Sequence, residues 1–254
     1  MLTFTQNILI LVFVMIASSL LLVALNWVWP LYTRHSQNDL IGWHLSVLGT
    51  TYAVVLGFML FTAWTNFGAA ELNADLEANA LKNLFRLAEG LPQQQRTQLE
   101  MQARAYADAV IEQDWPAMTR GQLPEGTHEI NEHMWKTLVS IKVSSSSEST
   151  AADHALSELS ALTQHRRTRL LQCVSQLPAI FWAVLLVGGI LTLISTSMFA
   201  SAKPTMHTFL VFSTTLLVTL VMLAIADVDR PFRGWVHVSN YAFVRAQQYM
   251  HEID

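Results

Sequence analysis

Few residues in this chain have the types and spacing that chemistry needs. The densest group is Asp227-Val228-Asp229-Arg230-Pro231-Phe232-Arg233-Gly234, which sets two carboxylates and two guanidiniums within seven residues. Read as structure, it is a capped helix exit with an Asp–Arg pair: Pro231 stops the helix and Gly234 permits a tight turn. Read as function, charges held at a membrane boundary attract or gate ions. Both readings stay open on the sequence alone. A second group, His128-Glu129-Ile130-Asn131-Glu132-His133, pairs His128 with Glu132 and Glu129 with His133 one helical turn apart. That is a possible metal spacing, but exposed helices carry the same i,i+4 pairs and no metal site is expected. Glu112 and Asp114 beside Trp115-Pro116 read either as paired carboxylates or as the polar face of a helix end. The single cysteine, Cys173, excludes an internal disulfide and reads as a small reduced core residue. There is no Gly-rich phosphate loop, nucleophile elbow or His-Glu-x-x-His helix, so neither an enzyme nor a cofactor is expected.

The elements that would position these residues are set by hydropathy. Of 254 residues, 52% are hydrophobic and 13% charged. Residues 65–177 hold 10 of the 15 Lys+Arg and 14 of the 19 Asp+Glu, so the whole net charge of −4 falls there. An acidic insert gives no footprint for nucleic acid. A bilayer-spanning helix needs about 20 mostly apolar residues. Ile8–Trp29, Trp43–Trp64, Leu177–Phe199 and Thr208–Ala226 meet that requirement. Backbone groups in lipid must bond internally, so all four are expected as helices. No Lys or Arg precedes the first, and its apolar run exceeds the ~7–15 residues of a signal-peptide core, so it reads as a retained span. Trp27, Trp29 and Trp43 mark one interface, and Trp64 and Trp182 the other.

An even number of spans puts both termini and the insert on one side. That side holds 13 of the 15 basic residues, with only Arg34 and Lys203 opposite. The positive-inside rule then makes the insert and termini cytoplasmic. The expected organisation is spans one and two in 1–65, a helical cytoplasmic domain in 66–176, spans three and four in 177–227, and a cytoplasmic segment in 228–254. The fold class is all-α.

Within the insert, Leu72, Leu76, Ala80, Leu84 and Leu87 form one apolar stripe beside Leu81 and Phe85, predicting that the second span continues into water as an amphipathic helix. Further helices are expected over about Gln93–Met118, around Ile130–Leu138, and over about Thr150–Gln172. Ser144-Ser145-Ser146-Ser147-Glu148 reads as a loop tip.

The second span carries two ridges. Gly49, Ala53 and Gly57 form a small-residue ridge that lets helices approach closely. Thr50, Val54 and Phe58 form the adjacent one. Both can be packing. Alternatively, the second lines a narrow apolar constriction that gates by dewetting.

The sequence resembles the bacterial bestrophin-like domain family. The likeness rests on Tyr52-Ala53-Val54-Val55-Leu56-Gly57-Phe58 leading to Trp64, on Leu91-Pro92 with Arg96, and on Tyr106 through Asp114-Trp115-Pro116. It continues through Arg166, Arg167 and Arg169, Leu177-Pro178, Trp182, and Asp229-Arg230-Pro231-Phe232 with Gly234. The resemblance implies a relative of pentameric ion channels, mostly for anions. It also implies that the second span lines the pore, with the neck at Thr50, Val54 and Phe58. Thr50 and Val54 are smaller than the usual neck residues, and the acidic calcium-clasp run is absent. The expected partners are the lipid bilayer, inorganic ions and further copies of the chain, with five copies as the expected number. The rival expectation is a non-conducting signalling or scaffold protein whose insert binds a partner.

Overall fold

A computed structural model describes residues 4–201 and 203–252, and every regular element among them is helical. In chain order these are α1 (Phe4–Val28), α2 (Leu31–His35), α3 (Asn38–Leu87), α4 (Gln93–Ala109), α5 (Trp115–Arg120), α6 (His128–Val139), α7 (Ser146–Val174), α8 (Ala179–Met198), α9 (Pro204–Val228) and α10 (Tyr241–Glu252). A π turn, Val110–Asp114, joins α4 to α5. The chain divides into two compact units. One comprises residues up to Thr65 with Leu177–Asp229; the other comprises Asn66–Gln176 with residues from Arg230 onward.

The first unit holds the apolar segments. Four helices are long and apolar enough to cross a membrane, in agreement with the hydropathy reading. Within the unit α1 packs on α8 and α9, and α8 packs on α9. One polar pair joins α1 to α9: the Ser18 and Thr215 hydroxyls lie 2.8 Å apart. The connection between the first two spans is tied down as well. Asn38 donates to the Ala200 carbonyl at 2.6 Å and accepts from the Ala200 N–H at 2.9 Å. Arg34, expected as a loop charge, is fully buried and donates to the Ser197 carbonyl at 3.0 Å and to Asn26 Oδ1.

The second unit is a helical bundle in which α4 packs on α6, α6 on α7, and α10 on α4. The continuation of the second span as a helix is observed, but its buried face differs from the expected stripe. Leu72 and Leu76 are exposed, while Ala70, Ala74, Ala78, Leu81, Leu84 and Phe85 are buried together with Asn73 and Glu77. Leucine spacing marks an apolar face without saying which side is covered. Here alanines let the neighbouring helices come close; Ala80 and Leu84 of the expected stripe are buried, and Leu72 and Leu76 face outward.

The serine run is not a loop tip. It starts α7: Ser145 Oγ accepts the Glu148 N–H at 3.1 Å, and Glu148 Oε2 accepts the Ser144 N–H at 2.7 Å. The Ser145–Glu148 spacing thus satisfies two amide donors that a helix start leaves open. The C-terminal segment also folds as a helix, α10, burying Phe243 and Met250.

Candidate functional site

Helix periodicity separates the two ridges of the second span by about 100° around α3. On the side facing its own chain, Tyr52 and Leu56 are buried. The Tyr52 hydroxyl donates to the Leu185 carbonyl of α8 at 2.9 Å. Its ring occupies the place that side chains at Gly188 and Gly189 would take. A Cβ on Gly188 would lie 2.5 Å from the ring, and one on Gly189 would lie 3.0 Å from the hydroxyl. The Gly188-Gly189 pair is therefore the seat of Tyr52, which the sequence reading did not identify.

On the other side, Thr50, Val54 and Phe58 project away from the chain, Val54 with 53% and Phe58 with 64% of its surface exposed. Gly49, Ala53 and Gly57 lie between these faces. A Cβ on Gly49 or Gly57 would meet nothing within 4 Å. The three small residues form one wall of an apolar groove of about 650 Å³ whose other wall includes Thr192 of α8 and Leu210 and Leu217 of α9. Among the described residues, no helix fills that groove.

The Asp227–Gly234 motif resolves residue by residue. Asp229 caps α9 through its own N–H on the Ile225 carbonyl at 2.9 Å, and its Oδ1 accepts the Leu177 N–H at 2.9 Å. It thereby ties the end of the fourth span to the start of the third. Pro231 and Phe232 are buried in the second unit. Phe232 meets Trp115 edge-on, with ring centroids 5.7 Å apart. The Arg233 guanidinium covers Gly121, which sits at φ +80 in the left-handed region at the end of α5. Gly234, at φ +98, makes the following turn. Arg230 is partly exposed and Asp227 lies within the last turn of α9.

A buried polar cluster lies in the second unit, and the sequence reading named Tyr106, Asp114, Arg166 and Arg169 without bringing them together. Arg169 of α7 donates from Nε to Glu77 Oε2 at 2.8 Å, and from Nη2 to Glu77 Oε1 at 3.0 Å and Asp114 Oδ2 at 2.9 Å. All three side chains are fully buried. The Tyr106 hydroxyl donates to Glu77 Oε1 at 2.7 Å. Thr127 donates to Asp114 Oδ2 at 2.8 Å and accepts from Arg166 Nε at 2.7 Å, relaying a second positive charge to Asp114. The guanidinium also lies over the rings of Trp115 and Phe243, at 5.7 and 5.9 Å from their centroids. Burial alone would weaken the charge on Arg169, but Glu77 beside it outweighs that and holds the guanidinium firmly protonated. Burial, followed by the negative charge of Glu77, pushes the Tyr106 phenol well above its ordinary range.

Asp114 reaches this cluster while Glu112 stays exposed. Residues two apart face nearly opposite sides of a helix, so the two carboxylates do not work as a pair. The signal for Glu77 was available: a lone carboxylate on the apolar face of an amphipathic helix requires a buried partner. The His128–His133 segment shows the other outcome. Glu129 and His133 are exposed on α6, 3.9 Å apart. Among the described residues no group of three or more His, Cys, Asp or Glu is placed to hold a metal ion.

Among solved structures, two point variants of a bacterial bestrophin homolog from Klebsiella pneumoniae share this fold. The first has a TM-score of 0.72 at 12% identity, covering 96% of this chain and 98% of that one. The second has a TM-score of 0.70 at 14% identity, covering 97% and 99%. No curated protein matches the sequence. The Bestrophin-like domain family model matches residues 11–243. With that match running over nearly the whole sequence, and with its four apolar helices, the chain is a membrane protein belonging to the Bestrophin-like family.

Proposed function

We propose that this chain forms an oligomeric ion channel whose path is lined by the second span, with Thr50, Val54 and Phe58 at the constriction. One observation carries the reading. A membrane-spanning helix is held to its own chain on one face by Tyr52 and Leu56, while Val54 and Phe58 project uncovered from another. Bulky side chains on a stripe that the chain itself leaves open fit a path enclosed by several copies, five on the family resemblance.

Anions are the favoured permeant class on the same resemblance. The distribution of Lys and Arg supports a cytoplasmic second unit and cytoplasmic termini, in a bacterial inner membrane. The test is ion flux through purified protein in liposomes, comparing wild type with Phe58→Ala and Val54→Ala under chloride and potassium gradients. Flux that rises or changes selectivity in the variants is expected. No flux in any of them, from protein shown to be a folded oligomer, overturns the reading.

A further inference from the structure

Three segments of the second unit converge on one surface. The Cys173 sulfur of α7 lies 4.0 Å from the Gln122 carbonyl, and the Arg233 guanidinium covers Gly121. These contacts bring Arg120–Leu123, Arg167–Val174 and Arg233–Val238 together. The surface they present is apolar where solvent-exposed residues are normally polar. Leu123, Leu171 and Val174 are each more than half exposed, and Trp235 is 69% exposed. On α7, Arg167, Leu171 and Val174 stand at i, i+4 and i+7, one face of the helix. Arg120 and Arg167 are exposed beside these residues, and none of the three segments contains Asp or Glu.

Chain connectivity says what meets this surface. Val174 is three residues from Leu177, where the third apolar span opens. Three residues reach at most about 11 Å. The end of α7 therefore adjoins, along the chain, the opening of the third apolar segment. Tryptophan favours the headgroup layer, and arginines near it are attracted to anionic lipid.

We propose that the face formed by Leu123, Leu171, Val174 and Trp235, flanked by Arg120 and Arg167, lies in the headgroup layer and binds anionic lipid. The apolar side chains enter the boundary, and the two guanidiniums bond headgroup phosphates from its edge. This anchors the second unit to the bilayer surface independently of whether the chain conducts ions.

The experiment uses full-length protein in phosphatidylcholine vesicles with and without phosphatidylglycerol. The Trp235 signal is the difference in fluorescence between wild type and Trp235→Phe. A lipid carrying a doxyl group near its headgroup is expected to quench that signal, with aqueous iodide having little effect. Quenching by iodide alone means that the face meets water and overturns the proposal. Protection from both quenchers means that another copy covers the face, and this also overturns it. Independently, phosphatidylglycerol should raise the thermal unfolding midpoint of wild type, and R120Q/R167Q should lose most of that gain. Both positions are exposed, and unchanged helix content would show that the fold persists. No gain in wild type, or an equal gain in the double variant, overturns the proposal.

Discussion

Arg169 grips both carboxylate oxygens of Glu77, from Nε at 2.8 Å and from Nη2 at 3.0 Å, with neither side chain exposed to water. Glu77 lies on α3, the helix that carries the candidate constriction, and Arg169 lies on α7. The pair thus fixes the rotation of α3 about its axis within the second unit, because a bidentate contact tolerates little turning.

Removing one partner should be costly. Glu77→Gln leaves the Arg169 charge buried with Asp114 as its remaining carboxylate, and a broken buried pair typically costs about 3–5 kcal/mol. We expect the thermal unfolding midpoint of Glu77→Gln to fall clearly. The double variant Glu77→Leu/Arg169→Met should lose less than the sum of its single changes, because it leaves no uncompensated partner. Strict additivity in that cycle would show that the two groups do not act as a unit.

Tyr106 gives this cluster an alkaline signature. Its phenol is held above the ordinary value near 10 by burial and by Glu77, so the folded chain keeps a proton that the unfolded chain releases. The stability from this group is complete below pH ~10 and is lost as pH rises towards the folded value. The slope is about 1.4 kcal/mol per pH unit for one proton. Tyr106→Phe should be less stable at neutral pH, because Glu77 loses a hydrogen bond. It should also show a shallower decline above pH 10. Parallel stability profiles for wild type and variant in that range would contradict this account.

How much of this was legible in the sequence depends on what each signal encodes. The four spans were readable because hydropathy is a property of the chain itself, needing no partner. The extension of α3 past its apolar stretch was readable from its period. Which face of it is covered was not, because Leu72 and Leu76 have the same spacing whether they face a core or the outside. The Asp227–Gly234 motif was visible as charge and turn residues. Only the fold showed Asp229 on the Leu177 amide and Arg233 over Gly121, contacts between positions 52 and 112 residues apart. Gly188 had no readable role until Tyr52 was placed against it.

That seat makes a sharp prediction. Alanine normally stabilises a helix relative to glycine by roughly 0.5–1 kcal/mol. At Gly188 the added methyl would sit 2.5 Å from the Tyr52 ring, and overpacking of this kind costs about 1–3 kcal/mol. Gly188→Ala should therefore lower the unfolding midpoint, and Tyr52→Leu in the same chain should recover part of the loss. A Gly188→Ala protein more stable than wild type would show that the second and third spans do not meet at this ring.

The Asp229 carboxylate separates charge from hydrogen bonding at the end of the fourth span. Its Oδ1 accepts the Leu177 N–H, and an amide oxygen can do the same. Asp229→Asn should keep most of the wild-type stability, whereas Asp229→Ala should lose about 1–3 kcal/mol for the amide left without its acceptor. Equal losses in the two variants, read from their unfolding midpoints, would mean that the negative charge, and not only the hydrogen bond to Leu177, holds this boundary together.

Gly57 tests assembly without touching the fold of one chain. A Cβ there meets nothing within 4 Å, so the single chain offers no steric objection to a larger side chain. A helix from another copy packed on the Gly49, Ala53 and Gly57 ridge would object strongly, since close approach depends on small residues. Gly57→Leu should therefore leave helix content unchanged while shifting the detergent-solubilised particle to fewer copies, measured by light scattering. A variant particle of wild-type mass would move the inter-subunit contact off this ridge. The enclosed path would then have to be built from a different face of the second span.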